Sequence, residues 1–397
     1  MNVNKKLMFV FCIRLQLRKL IALLVLSTAF LAWLSGILHG RLFKTYGNET
    51  VVDKIRLESE PHIEKDYFVS RHDSETAAHV SEIHVNDNVN SLQFNLTNAS
   101  VATVSHSAER TATHHLTSCD QECLRFKNVM LSWPQDKPKA AVYYLTKATR
   151  LNLLHSSLTS LFYSFLYRFN YPVIVFHEAD TRDLIREIFR NFVNIQLFFQ
   201  EVEFDLPSHI NASAVKFEIR CFSPISYRHM CRFHAKNVYE QAILTGLEYV
   251  WRLDDDSLLP AVINYDLFVF MRLHHFQYGY IKIHFDSYDC TTGLWEAVRN
   301  YIKQKHLQSA YFDKWTEPMI FYNNFEISAL SLWTSKWYQD YVNFIDMLGG
   351  IYYFRWGDAP VKSIAVTLFV PEEATHLFTD VTYQHGSFFK NFSYSSF

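Results

Sequence analysis

The apolar and polar positions divide the chain into three stretches of different texture. Leu20 to Leu38 is a run without a charged residue, close to the roughly 20 residues that cross a bilayer core. Lys5, Lys6, Arg14, Arg18 and Lys19 precede it with no acidic residue, while Arg41 and Lys44 follow. The positive-inside bias therefore places the N-terminus in the cytosol and the remainder in a lumen. A cleaved signal peptide has a shorter apolar region, roughly 7–15 residues, so the run is expected to stay as an anchor. The expected division is a tail over 1–19, a membrane-spanning segment over 20–38, a stem over 39–138 and a lumenal domain over 139–397. From about Thr45 to Ser118 the stem is rich in Ser, Thr, Asn, His and Glu, with little apolar periodicity, and reads as solvated chain.

After Pro138 strand and helix signals alternate. Ala140 to Leu145 and Tyr171 to His177 are β-rich apolar runs, and Ile195 to Phe199 is a shorter one. Between them Leu151, Leu154, Leu158, Leu161, Phe162, Phe165 and Phe169 recur at helical spacing, as do Leu184, Ile185, Ile188, Phe189 and Phe192. A later helix is predicted around Ala235 to Leu247, leading into the strand Tyr249–Leu253. Another is predicted over Ala359–Phe369, with Asp358 as its N-cap. This alternation predicts an α/β domain built on a parallel sheet with both faces covered. The aromatic stripes keep the helical period and are assigned to the core.

Composition narrows the picture. The 397 residues are enough for one large domain or two small ones, and 38 basic against 40 acidic residues leave no basic excess. Nucleic-acid binding is thereby disfavoured. N-x-S/T triplets at Asn48, Asn95, Asn98, Asn211 and Asn391 agree with a lumenal location. So does cysteine usage, with Cys119, Cys123, Cys221, Cys231 and Cys290 all beyond the anchor. Their odd number leaves one thiol free or intermolecular. Cys119 and Cys123 read as a disulfide, or as a pair with no special role, rather than as half a zinc site, because no second pair stands at finger-like spacing.

The candidate chemistry lies where Tyr249–Leu253 runs into Asp254-Asp255-Asp256. Ligands of open α/β sheets gather at the carboxyl ends of strands, and three carboxylates there repel unless a cation neutralises them. Oxygen-rich sites suit Mg²⁺ or Mn²⁺ with substrate phosphates as further ligands. An Asp-x-Asp at that point fits nucleotide-sugar transfer, in which the departing nucleoside diphosphate needs its charge stabilised. The bland alternative is a solvated acidic turn.

Six blocks decide between them: Arg168-Phe-Asn-Tyr-Pro172, Ser226-Tyr-Arg-His-Met-Cys-Arg-Phe233, Tyr249-Val-Trp-Arg-Leu-Asp254, Asn324-Phe-Glu-Ile327, Arg355-Trp-Gly-Asp-Ala-Pro-Val361 and Tyr383-Gln-His385. In order and spacing they resemble the fungal Golgi α-1,2-mannosyltransferases, the glycolipid 2-α-mannosyltransferase family, from about Lys139 onward. The resemblance implies a GT-A-type fold with a mixed, largely parallel central sheet, and a retaining transferase that moves mannose from GDP-mannose to a mannose-bearing glycan of a glycoprotein or glycolipid, with Mn²⁺ on the donor diphosphate. It implies metal ligation by Asp254, Asp256 and His385, donor binding by Tyr227 with the neighbouring Arg228, and a catalytic pair in Glu326, near the anomeric carbon, and Asp358. It also implies a Golgi-membrane protein with its catalytic domain in the lumen.

The chain departs from the family where a Glu-Pro-Asp motif becomes Asp254-Asp255-Asp256. Either the shorter Asp254 reaches the ion through water or Asp255 shares the role. The same Asp-rich motif leaves a UDP-sugar donor as an alternative, and a non-catalytic glycan-binding protein as another.

Overall fold

The computed structural model describes residues 116–390 apart from 191, 217–220 and 222, all within the compact unit Thr103–Phe397. The expected anchor over 20–38 and the sequons other than Asn211 lie outside the described residues. Among the described residues, no helix is long and apolar enough to cross a membrane.

Twelve strands appear in chain order. They are β1 (Ala140–Thr146), β2 (Val173–His177), β3 (Leu197–Glu201), β4 (Tyr249–Leu253), β5 (Ser257–Leu258), β6 (Tyr278–Tyr280), β7 (Ile283–Phe285), β8 (Met319–Phe321), β9 (Phe325–Ala329), β10 (Thr375–Leu377), β11 (Tyr383–His385) and β12 (Phe388–Lys390). Seven make one sheet in the order β10-β6-β9-β4-β1-β2-β3. β1 pairs in parallel with β2 and β4, and β2 with β3, whereas β9 runs antiparallel to both β4 and β6. β1, β2 and β4 are buried on both faces, which is why they read as continuous apolar runs. Because they are parallel, Thr146, His177 and Leu253 all end at one edge. β9 begins at that same edge, Leu253 opposite Phe325.

The longer helices are α1 (Gln121–Leu131), α2 (Leu151–Leu161), α3 (Ile225–Ala235), α4 (Leu294–Lys305), α5 (Lys336–Met347) and α6 (Asp358–Phe369). The predicted helix from Leu151 to Phe169 is present, with a single π turn over Phe162–Leu166. α6 is buried nearly all round, as expected of a helix enclosed by others.

Three sequence expectations are corrected. The folded unit begins well before 139: Asp120 caps α1 by accepting from the Cys123 N–H at 2.9 Å, and Cys123, Phe126 and Met130 enter the core. Phe126 meets Phe198 edge-on at 5.1 Å. The helix predicted over Ala235–Leu247 is instead the end of α3 followed by 3₁₀ turns at Asn237–Glu240 and Ala242–Leu244. An extended Gln241 separates the turns, and Tyr239 stacks on Trp333 at 5.3 Å. Asp358 does not cap α6 either; the cap position is Gly357. The cysteines pair as Cys119–Cys123 and Cys221–Cys290, leaving Cys231 as a buried thiol.

Candidate active site

The shared edge of β1, β2, β4 and β9 opens into a cleft of about 840 Å³. Loops after β1 bring Lys147 and Arg150, the loop after β4 brings Asp254 to Asp256, and the turn before β9 brings Tyr322, Asn323 and Asn324. The opposite wall carries Tyr227 and His229 of α3, His284 and Asp286 around β7, and Arg355 and Asp358 at the start of α6. His385 arrives from far along the chain through a small second sheet. β11 pairs antiparallel with β5, setting His385 opposite Ser257 and thus beside the acidic run.

The three consecutive carboxylates are separated by their partners. Asp255 turns inward, accepting from the Thr146 hydroxyl at 2.9 Å and Arg150 Nε at 2.8 Å. Asp254 Oδ1 accepts from Arg252 Nε at 3.1 Å, and its Oδ2 from Asn324 Nδ2 at 2.7 Å. Asp256 Oδ2 lies 3.2 Å from Arg150 Nη2. Burial works to raise the Asp256 pKa, but His385 and Arg150 outweigh it and hold the carboxyl at about 2. Buried and bonded to Thr146 and Arg150, Asp255 is assigned a structural role rather than that of an ion ligand, and desolvation raises its pKa.

Asp256 Oδ1 is the informative atom. It is buried and receives no hydrogen bond, yet it lies 3.0 Å from His385 Nε2. Two donors held at about 2.1 Å and at right angles around an octahedral ion are about 3.0 Å apart, so this orphaned oxygen and the imidazole fit a shared divalent cation. Asn324 Nδ2 approaches His385 Nε2 at 3.0 Å and the Tyr322 hydroxyl lies 2.9 Å from Nδ1. In the neutral ring that Asn324 contact leaves the lone pair on Nε2 and the proton on Nδ1, the tautomer a metal requires. Asp254 Oδ2 is farther, 3.6 Å from Nε2. Among the described residues no trio of His, Cys, Asp and Glu is spaced as a complete cage; two side chains converge, and a bound ion would draw its other ligands from substrate oxygens and water.

Two predicted site residues are not in the cleft. Glu326 and Lys362 are both 0% exposed and form an ion pair at 2.5 Å. Glu326 also accepts from the Tyr278 hydroxyl at 3.1 Å and from Ser328 at 3.3 Å. Facing Arg252 across β4 and β9, it lies beneath the cleft floor, so the expectation that it stands at the anomeric carbon is corrected. Desolvation lowers the Lys362 pKa, and Glu326 opposes that shift. Arg228 is likewise 0% exposed and donates to the backbone carbonyls of Tyr352 and Lys216, bracing α3 rather than binding a donor. Its neighbour Tyr227 does line the cleft.

Asp358 reaches the cleft, bonded to Arg252 and to Asn323 Nδ2 at 2.8 Å. Burial works to raise its pKa, but Arg252 outweighs this and holds the carboxyl well below the usual range. Arg252 thus bridges Asp254 and Asp358. Sequence reasoning missed Arg150, Arg252 and Lys362 as charge partners. The signal for two of them was available: Arg252 within the buried run YVWRL and Lys362 within APVKSIAVTLF are charges on faces that admit charge only when paired.

A mixed α/β sheet that gathers carboxylates and a histidine at the carboxyl ends of its parallel strands has the glycosyltransferase fold. The chain belongs to the glycolipid 2-alpha-mannosyltransferase family, whose model matches residues 93–393. It is 30% identical over 274 residues to glycolipid 2-alpha-mannosyltransferase 1 of Candida albicans, covering 64% of each chain. It is 31% identical over 272 residues to the glycolipid 2-alpha-mannosyltransferase of Saccharomyces cerevisiae, covering 63% of this chain and 61% of that one. It therefore spans somewhat under two thirds of these relatives. Core-mannan synthase A of Aspergillus fumigatus, solved in an Mn/GDP form, superposes with a TM-score of 0.60 at 25% identity, covering 65% of this chain and 77% of that one. The S. cerevisiae mannosyltransferase Ktr4p in complex with GDP gives 0.59 at 26%, covering 64% and 73%.

Proposed function

We propose that this protein is a retaining α-1,2-mannosyltransferase that moves mannose from GDP-mannose to a mannose-bearing glycan. The observation that carries the reading is the pairing of the orphaned Asp256 Oδ1 with His385 Nε2 at 3.0 Å, at the carboxyl edge of a parallel sheet. Asp256 and His385 would hold Mn²⁺, which supplies positive charge for the departing diphosphate. The chain's own residues orient the donor: Tyr227 forms one wall, and Arg252 fixes Asp254 and Asp358 on the floor. With Glu326 sealed beneath that floor, the arrangement favours substitution on the face of the leaving group, the departing phosphate accepting the proton of the incoming hydroxyl. Purified protein incubated with Mn²⁺, a mannoside acceptor and a panel of donors is expected to consume GDP-mannose in preference to UDP-sugars. Turnover of UDP-sugars alone would sink the donor assignment, and no turnover of any donor would favour a glycan-binding role.

The proposed location is the Golgi membrane, with a cytosolic tail and a lumenal domain. Two disulfides and an exposed Asn211 sequon support an oxidising, glycosylating compartment. On sealed microsomes, the domain is expected to resist protease until detergent is added. Digestion without detergent would reverse the topology.

A further inference from the structure

Arg355 has φ of 63°, the left-handed region that side-chain-bearing residues rarely occupy. Its neighbours impose that turn. Trp356 packs so closely on Gly350 that a Cβ there would sit 2.2 Å from the indole, and the indole N–H donates to the Thr292 carbonyl at 2.8 Å. A position whose backbone suits glycine thus carries a long cation, and a backbone outlier inside a cleft points to a functional cause.

The side chain is aimed into the cleft, 17% exposed, with its Nη1 3.9 Å from Asp286 Oδ1, beyond hydrogen-bond range. Its guanidinium lies over the Tyr227 ring at 4.5 Å, which holds the fork in a fixed plane. Its Nε is buried and donates to nothing among the described residues. Arg150 and Arg252 of the same cleft are already committed to Asp254, Asp255, Asp256 and Asp358. A buried guanidinium donor left unbonded is costly until an acceptor arrives, and the planar fork matches phosphate oxygens. A neutral acceptor sugar adds no charge to that of Asp286, which stands too far to bond the fork; a diphosphate supplies both charge and acceptor oxygens.

We infer that Arg355 is a donor-positioning residue whose guanidinium receives the diphosphate of the nucleotide sugar, a statement that rests on the transferase reading above. The test is calorimetric titration of Mn²⁺-loaded protein with GDP, for the parent chain and for Arg355→Gly, Arg355→Lys and Arg355→Gln. Glycine suits the left-handed backbone, so Arg355→Gly is expected to melt no lower than the parent while binding GDP about 10- to 100-fold more weakly, the worth of a charged hydrogen-bonding group. Arg355→Lys, which keeps charge but loses the fork, is expected to fall between, and donor KM is expected to rise more than kcat falls. Failure of the parent chain to bind GDP would overturn the GDP-mannose reading above rather than the role of Arg355. GDP affinity within about twofold of the parent in folded Arg355→Gly and Arg355→Gln would overturn the role of Arg355 alone, as would a rise confined to acceptor KM.

Discussion

Lys362→Met is expected to lower the unfolding free energy by about 3–5 kcal/mol, the range for stranding one member of a buried ion pair. Among the described residues, the Glu326 carboxylate would keep the hydrogen bonds of the Tyr278 and Ser328 hydroxyls but no bonded cation, in a fully buried site. Converting both partners, Lys362→Met with Glu326→Gln, is expected to recover most of the loss, because a neutral pair pays no desolvation of charge. Urea melts of the single and double variants check this. The single variant Glu326→Gln then separates two roles. If Glu326 is structural, the variant loses stability while kcat per folded molecule stays near that of the parent. A kcat reduced about 10²-fold or more at unchanged stability would restore it to the reacting centre.

Chelation is expected to abolish transfer, and His385→Ala to reduce kcat/KM by about 10²-fold or more, since each removes charge stabilisation of the leaving group. The metal step carries a pH signature. Burial lowers the His385 pKa, but Asp256 and Asp254 outweigh both that and the opposing Arg252, and the net shift is upward. Below the raised pKa the imidazole holds a proton that a metal must displace, so Mn²⁺ affinity rises with pH and weakens as pH falls through it. In titrations of Mn²⁺ across pH, His385→Ala is expected to bind weakly and lose most of this slope. Full activity in excess chelator would count against the site.

The sheet was legible because β1, β2 and β4 are buried on both faces, and continuous apolar runs such as AAVYYL leave little else for the chain to be. Asp254-Asp255-Asp256 was legible as a cluster because it follows such a run directly. What each carboxylate does was not, since Thr146, Arg150, Asn324 and His385 reach them only through the fold. α1 escaped notice because it buries only Cys123, Phe126 and Met130 in an otherwise polar stretch. Glu326 was misplaced for a related reason. Along β9 its side chain shares a face with Arg252, and whether that face meets solvent or Lys362 depends on α6, which no local pattern in FEISA records.

β5 and β11 have a consequence for incomplete chains. The seven-stranded sheet is complete once β10 is made, at Leu377, whereas His385 enters only with the short outer strand β11. A product ending between these points contains every strand of the scaffold, yet lacks the imidazole that faces Asp256. The last strand of the main sheet and the imidazole facing Asp256 are thus made at different moments of synthesis, and a premature stop in this interval removes His385 together with those of the buried Phe378, Val381 and Tyr383 that lie beyond it.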